Sequence, residues 1–338
     1  MKKYFQKKIF RSFWILLICI PLLFASCATS VSFPVERPAE IDSKGATSIT
    51  ILPFSSGNMG RFYYNHGTET KIIANYIQEQ FQKRILRSGY FSLISSQGLP
   101  NTSGASSSSS DLRIQGNIYN FSNKVEKIPV ETEDKKKKLY LYKRKVSLSV
   151  KYEVVYSQTN EILYSTTQHI EEESTEYASP KEVPDFFSLV ESDLNSRINS
   201  IVKKLAPYTT TKKVSLLKSK SKDEPTKEAM KAAQQLAKDG FYPQAQKAYM
   251  NIYEQQGIFE AGYNAALLLE ATGKLKEAEE LMSQLLFFTS NKEASKALQE
   301  IQQEIRYSDR LQYQLNAQKI SAKKTKASEE SSEAEITN

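Results

Sequence analysis

A 33-residue internal repeat constrains the fold of the C-terminal part of the chain. The stretch "AAQQLAKDGFYPQAQKAYMNIY" aligns at that offset with "AALLLEATGKLKEAEELMSQLL". The matching pairs are Ala233 and Ala266, Leu236 and Leu269, Gly240 and Gly273, Ala245 and Ala278, and Tyr249 and Met282. A period of this length is typical of stacked helical hairpins, in which small residues let the helices approach closely and a glycine opens the turn.

This repeat resembles the tetratricopeptide repeat, whose usual period is 34 residues. The resemblance implies an all-α domain over residues 226–315 with a concave groove for a peptide or helix of a protein partner. A generic helical hairpin is the alternative. Two repeats leave apolar faces uncovered, so we expect a closing helix in "SNKEASKALQEIQQEIRYSDRLQYQL", with Leu298, Ile301 and Ile305 on its inner face.

The preceding part of the chain carries strand and helix patterns. The stretch "LYLYKRKVSLSVKYEVVY" alternates apolar and polar residues, and "EILYSTTQHI" follows after a turn, which predicts a β-hairpin over residues 139–171. Shorter strand patterns lie in "ITILPF", "SGYFSLI" and "DLRIQGNIYNF", and two amphipathic helices end near Ile85 and Leu205. The order β-α-β-β-β-β-α predicts a mixed sheet with helices on it over residues 46–208, an α/β or α+β sandwich, and we expect the α+β class.

This order of segments resembles a family of exported bacterial lipoproteins. The family includes the curli secretion-pore subunit and the outer-membrane activators of peptidoglycan synthases. The resemblance implies an anticodon-binding-like α/β sandwich, and it makes a secretion-pore subunit or a regulator of a cell-wall synthase the alternatives to a scaffold. The chain departs from the family in the Ser-rich segment 103–110 and in the Lys-rich run 135–138. We expect the 139–171 hairpin to pack in the sheet, with insertion into a membrane as the alternative.

The N-terminus has the order of a secretory signal. A cationic head with no acidic residue precedes an apolar run from Phe13 to Ala25, which ends in small residues. A membrane-spanning helix needs about 20 apolar residues, and this run is shorter and is broken by Pro21. The pattern therefore predicts a cleaved signal over residues 1–26.

The end of this signal, "FASC", resembles the lipobox of bacterial lipoproteins, although Phe24 stands where leucine is usual. The resemblance implies that Cys27 is the lipid attachment site, carries diacylglycerol and palmitate, and becomes the new N-terminus. Cys19 leaves with the signal, so the mature chain has one cysteine and no internal disulfide. Ala28 follows the anchor in place of an inner-membrane retention aspartate, which implies the outer membrane, with the protein periplasmic or surface-exposed. A cleaved, soluble exported protein is the alternative.

Charge and chemistry exclude several classes of function. Five of the 46 basic residues lie in the signal, which leaves 41 against 38 acidic residues, too small an excess for nucleic-acid binding. The two histidines, His66 and His169, are far apart in sequence, and no phosphate-binding loop or nucleophile motif occurs. The acidic run 171–173 is expected to be a solvated edge. We therefore expect no catalytic residue, no metal site and no cofactor.

These observations predict a lipid-anchored, non-catalytic scaffold of the bacterial cell envelope. The protein would bind partners through both the tetratricopeptide-like groove and the α/β domain. Proteins of a secretion system or of the peptidoglycan machinery are among the expected partners. The remaining segments are predicted as a polar tether over 27–45, a charged linker over 209–225 and a disordered tail over 316–338.

Overall fold

The computed structural model describes residues 29–56, 67–95, 110–130 and 139–336, with side chains in the last helix described as far as residue 323. The described residues form two compact units. A sheet unit comprises 36–208 together with the chain from 308 onward, and a helical unit comprises the chain up to 35 together with 209–307. The predicted signal, Cys27, His66, the run 135–138 and nearly all of the Ser-rich segment lie outside the described residues.

The sheet unit contains a mixed β-sheet. Its strands are β2 (Ser48–Ile51), β3 (Ser55–Ser56), β4 (Ser92–Ile94), β5 (Leu112–Val130), β6 (Leu139–Tyr156) and β7 (Glu161–Glu173). The strand order is β4-β2-β5-β6-β7, and β3 pairs with β5. β2 runs parallel to β4 and β5, whereas β5, β6 and β7 are antiparallel. The α+β prediction is confirmed.

Two helices, α1 (Gly67–Ser88) and α2 (Phe186–Leu205), bury the apolar face of this sheet. The three- and four-residue spacing of apolar residues in each helix produces one buried stripe, which faces the alternate residues of β6. Leu148, Val150, Tyr152 and Val154 of β6 are fully buried in the resulting core. The 139–171 hairpin therefore packs in a sheet, as we expected.

The helical unit contains two helices that follow the 33-residue spacing of the sequence repeat. Its helices are α3 (Glu224–Lys238), α4 (Tyr242–Gln256), α5 (Phe259–Ala271), α6 (Leu275–Thr289) and the first part of α7 (Lys292–Ile336). Helices α4 and α6 begin and end 33 residues apart. Gly240 and Gly273, which precede them, have φ angles of 84° and 77°, a left-handed conformation that glycine adopts without strain. An all-α part after the α+β part is thus confirmed.

Two strands lie where irregular segments were predicted. The tether prediction over 27–45 is wrong for β1 (Thr29–Arg37), and the linker prediction over 209–225 is wrong for β8 (Tyr208–Leu216). The two strands pair with each other and form what is called here the β1–β8 ribbon. Val31, Phe33, Val214 and Leu216 of the ribbon are buried in the core of the helical unit. Both β1 and β8 form strands despite their polar composition, because alternate side chains of each strand are buried.

The predicted tail also forms regular structure. The prediction of disorder over 316–338 is wrong for residues 316–336, because α7 continues to Ile336. The boundary predicted at 315 is also displaced, since α7 belongs to the sheet unit from Ser308 onward. There, the Gln314 amide donates to the Ala39 carbonyl and accepts from the Ala39 N–H, both at 2.9 Å. Farther along α7, Gln318 donates to the Tyr90 carbonyl. Among residues 308–323, whose side chains the structure describes, Leu311 is the one buried apolar residue, so these hydrogen bonds contribute to holding this part of α7 in place.

A close approach in the sheet unit makes Gly116 a sensitive position. A Cβ atom there would lie well inside contact distance of the Lys151 main-chain oxygen and the Phe54 ring. We expect Gly116→Ala to lower the free energy of unfolding by about 3 kcal/mol, because the Lys151 oxygen belongs to a strand paired on both sides and the Phe54 ring is buried. Gly67→Ala, at the start of α1 with open space around it, is the matched control and should change stability by less than about 1 kcal/mol. Denaturant unfolding of both variants checks this. Equal stability of the two would contradict it.

Candidate functional site

Helix α5 is buried on nearly all sides and is the centre of the helical unit. Ten of its thirteen residues are buried, which requires a packing partner on every face rather than on one. Helices α4 and α6 cover part of it. The remaining surface, which an open groove would leave exposed, is covered by the chain itself.

The covering element is β8 with the residue that follows it, Leu217. The buried Asn264 side chain of α5 accepts a hydrogen bond from the Leu217 N–H at 2.7 Å and donates one to the Leu217 carbonyl at 2.8 Å. This single amide satisfies both main-chain groups of one residue in an extended segment. Such a contact recognises peptide backbone and is indifferent to the side chain that the backbone carries.

A buried cluster of charges holds the other part of β8. The Lys212 ammonium pairs with the carboxylates of Glu270 on α5 and Glu304 on α7, the latter at 3.1 Å. One cation therefore faces two buried carboxylates, and Glu270 Oε2 accepts no hydrogen bond from any described residue. Burial raises the pKa of the Glu270 carboxyl above its usual value, against the opposing effect of Lys212.

An open cleft remains where the ribbon ends. A cavity of about 310 Å³, called here the α3 cleft, lies beside α3 and the residues that follow β8. Its lining residues are Leu217, Lys218, Ser219, Lys227, Met230, Lys231, Gln234 and Tyr249. The buried side chains of Met230 and Tyr249 provide an apolar floor. The side chains of Lys227 and Lys231 line the same cleft, and each pairs with a carboxylate three residues earlier on α3.

The structure does not bring the sequence's candidate chemical groups together. His169 lies on β7, where its ring contacts Ser149 Oγ at 3.2 Å and the exposed Glu171 carboxylate at 3.8 Å. Within the described parts of the chain, no three His, Cys, Asp or Glu side chains are placed to hold a metal ion. No helix among the described residues is both long and apolar enough to cross a membrane.

The residues that hold β8 were not singled out from the sequence. Lys212, Glu270 and Glu304 read as ordinary surface charges in segments that contain many others. Asn264 carried a usable signal, because an amide in the apolar stretch "AGYNAALLLEA" must find hydrogen-bond partners once that helix is buried. The hydrogen-bond partner of Asn264 could not be identified from the sequence.

No family model matches the chain, and no curated protein matches it. Several solved structures share limited similarity. PelC from Paraburkholderia phytofirmans, a dodecamer, is 9% identical with a TM-score of 0.28, over 52% of this chain and 97% of PelC. A putative neuraminyllactose-binding hemagglutinin homolog from Helicobacter pylori is 11% identical with a TM-score of 0.26, over 49% of this chain and 84% of that one. A minor lipoprotein from Acinetobacter baumannii is 11% identical with a TM-score of 0.19, over 47% and 84%. At these TM-scores, no inference about this chain is drawn from the likeness.

The raised pKa of Glu270 predicts a pH dependence of stability. The folded state binds this proton more tightly than the unfolded state, so the contribution is complete below the ordinary pKa of 4.5 and is lost as the pH rises through the raised value. Glu270→Gln should therefore be more stable than the parent at pH 8, with a difference that shrinks toward pH 4.5. Denaturant unfolding across this range measures it. The exposed Glu277→Gln is the control, and identical profiles for both variants would contradict the prediction.

Removing the cation of the same cluster should have a larger effect. Lys212→Met leaves Glu270 and Glu304 buried without this counter-charge, and we expect a loss of about 3–5 kcal/mol in the free energy of unfolding. The double variant Lys212→Met/Glu270→Gln should recover part of that loss, because it removes one of the two carboxylate charges. A double variant no more stable than Lys212→Met would contradict the proposed charge balance.

Proposed function

We propose that the protein is a lipid-anchored, non-catalytic scaffold of the bacterial envelope that holds an extended segment of a partner protein in the α3 cleft. The single observation that supports this most is the binding of Leu217 by Asn264. The helical unit already binds an extended chain, its own, through main-chain hydrogen bonds. The path of that chain leads into an open cavity, so the binding surface is longer than the segment that occupies it.

The cleft suits a peptide better than a reacting substrate. Its volume accommodates one or two side chains, and its apolar floor of Met230 and Tyr249 would take an aliphatic or aromatic one. Lys227 and Lys231 would lie beside carbonyl or carboxylate oxygens of the same segment. The 33-residue spacing of α4 and α6 supports the tetratricopeptide resemblance, and peptide binding is what that resemblance implies.

The anchor rests on the sequence around Cys27. An acyl chain confines the protein to a surface, which raises the effective concentration of any partner on the same membrane without adding a contact. Scaffolding of this kind requires no chemistry, in keeping with the absence of a recognisable nucleophile motif or phosphate-binding loop in the sequence. The outer membrane is the proposed location, from Ala28 at the position after the anchor.

Acylation is tested by replacing one atom. Cells that express the parent protein and are fed labelled palmitate should incorporate the label and retain the protein in the membrane fraction. Cys27→Ser should carry no label, because a hydroxyl replaces the thiol to which diacylglycerol is attached. Fractionation and autoradiography of both proteins measure the difference. A parent protein without label, found in the cytosol, would refute the anchor.

Peptide binding is tested by site-specific photo-crosslinking in intact envelopes. A photoreactive residue at Gln234, which lines the α3 cleft, should give a discrete adduct. The neighbouring Gln235 is the matched control, because it is exposed, is not among the cleft residues and bonds to Asp239. Adding Met230→Glu should abolish the Gln234 adduct, since it places a charge on the floor of the cleft. Equal adducts at both positions, or an adduct unaffected by that change, would refute the cleft as the binding site.

A further inference from the structure

The proposed lipid site lies very close to folded structure. Only Ala28 separates Cys27 from Thr29, where β1 begins, and Val31 and Phe33 are already buried in the core of the helical unit. Consecutive Cα atoms are 3.80 Å apart, so the Cα atoms of Cys27 and Thr29 lie within about 8 Å of each other. The tether predicted over 27–45 would instead have allowed about 60 Å at full extension. An acyl chain on Cys27 therefore holds the helical unit itself against the bilayer.

The ribbon brings one part of the helical unit within reach of the anchor. The Ser32 carbonyl accepts a hydrogen bond from the Tyr242 hydroxyl at 2.8 Å, and the rings of Phe33 and Tyr242 meet edge to face at 6.2 Å. Tyr242 is the first residue of α4, so β1 passes the turn between α3 and α4. Ser32 lies five residues after Cys27, which limits the distance between their Cα atoms to about 19 Å.

The turn itself has the composition of a membrane-contacting surface. Phe241 is 52% exposed, although it lies between two ordered helices. Its equivalent in the second repeat is Lys274, so the helical hairpin does not require an aromatic residue at this position. Exposed Lys238, the last residue of α3, and exposed Lys274, which precedes α6, lie at this end of the two hairpins. An apolar ring beside lysines suits the interfacial region of a bilayer, where aromatic rings and cations are both favoured.

We infer that the α3–α4 turn, with Phe241 at its tip, contacts the bilayer that carries the acyl chains of Cys27. This inference rests on the proposed acylation. The occupant of the exposed Phe241 surface is the lipid interface, because the chain between the anchor and β1 is too short to place that surface far from it.

The helical unit supplies a matched control for this surface. Phe287 and Phe288 are 81% and 75% exposed at the end of α6, and their rings meet at 5.3 Å. Phe288 lines a cavity with Tyr253 and Gly257, at the C-terminal end of α4. Since α4 has 15 residues and Tyr242 is its first, these phenylalanines lie about 20 Å from the α3–α4 turn. They are more exposed than Phe241 but lie at the other end of the helices.

Tryptophan fluorescence separates the two ends. The one tryptophan of the chain, Trp14, lies in the predicted signal, so the acylated mature protein contains none. Phe241→Trp and Phe288→Trp are therefore single-tryptophan proteins. Each is purified in acylated form and placed in phosphatidylcholine–phosphatidylglycerol vesicles with or without brominated acyl chains. We expect brominated lipid to reduce the emission of Phe241→Trp about twofold and to leave that of Phe288→Trp nearly unchanged, as an interfacial and a distant ring should behave.

Several results would overturn the inference. Equal quenching of the two variants, or stronger quenching at position 288, contradicts contact through the α3–α4 turn. Lys274→Trp is a second test, because this residue lies at the same end of the hairpins as Phe241 and its replacement leaves the α3–α4 turn unchanged. Brominated lipid should quench its emission more than that of Phe288→Trp. Far-ultraviolet circular dichroism verifies that the variants are folded. If the protein is not acylated and does not bind vesicles, the proposed anchor is refuted instead. If Phe241→Trp is acylated and bound to vesicles but its emission is not quenched, only the contact of the α3–α4 turn with the bilayer is refuted.

Discussion

The helical unit depends on an extended strand that it binds itself. Helix α5 can be apolar around almost its whole circumference because β8 covers the surface that its neighbouring helices leave open. Asn264 satisfies the main chain of Leu217, and the Lys212 ammonium balances the buried charge of Glu270. Two helical repeats are few for a stable stack, and the ribbon supplies the missing neighbour. A fragment of residues 226–315 would lack that ribbon, and we expect it to be less stable than the complete helical unit.

The helices and strands that bury one whole face could be predicted from the sequence. Helices α1 and α2 and strand β6 each carry four or more buried side chains at a regular period, and the predictions for them are confirmed. β1 and β8 each bury only two side chains deeply, and each pairs with a strand far away in sequence. No local window contains the reason for either strand. The continuation of α7 past residue 315 depends on similarly distant partners, Ala39 and Tyr90.

The candidate site was harder to predict than the fold because it recognises backbone. The resemblance of the repeat to tetratricopeptide repeats implied a groove, but any extended segment can present an N–H and a carbonyl to Asn264. The sequence therefore does not distinguish an internal ligand from an external one. Nor does it distinguish Glu270 from the exposed Glu277, since burial and the shared cation set their difference.

The β1–β8 ribbon joins the two proposed properties of the protein. One of its strands begins two residues after the proposed lipid site, and the other leads from the covered surface of α5 into the α3 cleft. The orientation of the cleft relative to the membrane would then be determined by strand pairing and core packing rather than by a flexible linker. A partner would be captured only if its extended segment lies within reach of the bilayer surface, because the effective concentration gained by anchoring falls sharply when geometry prevents simultaneous engagement.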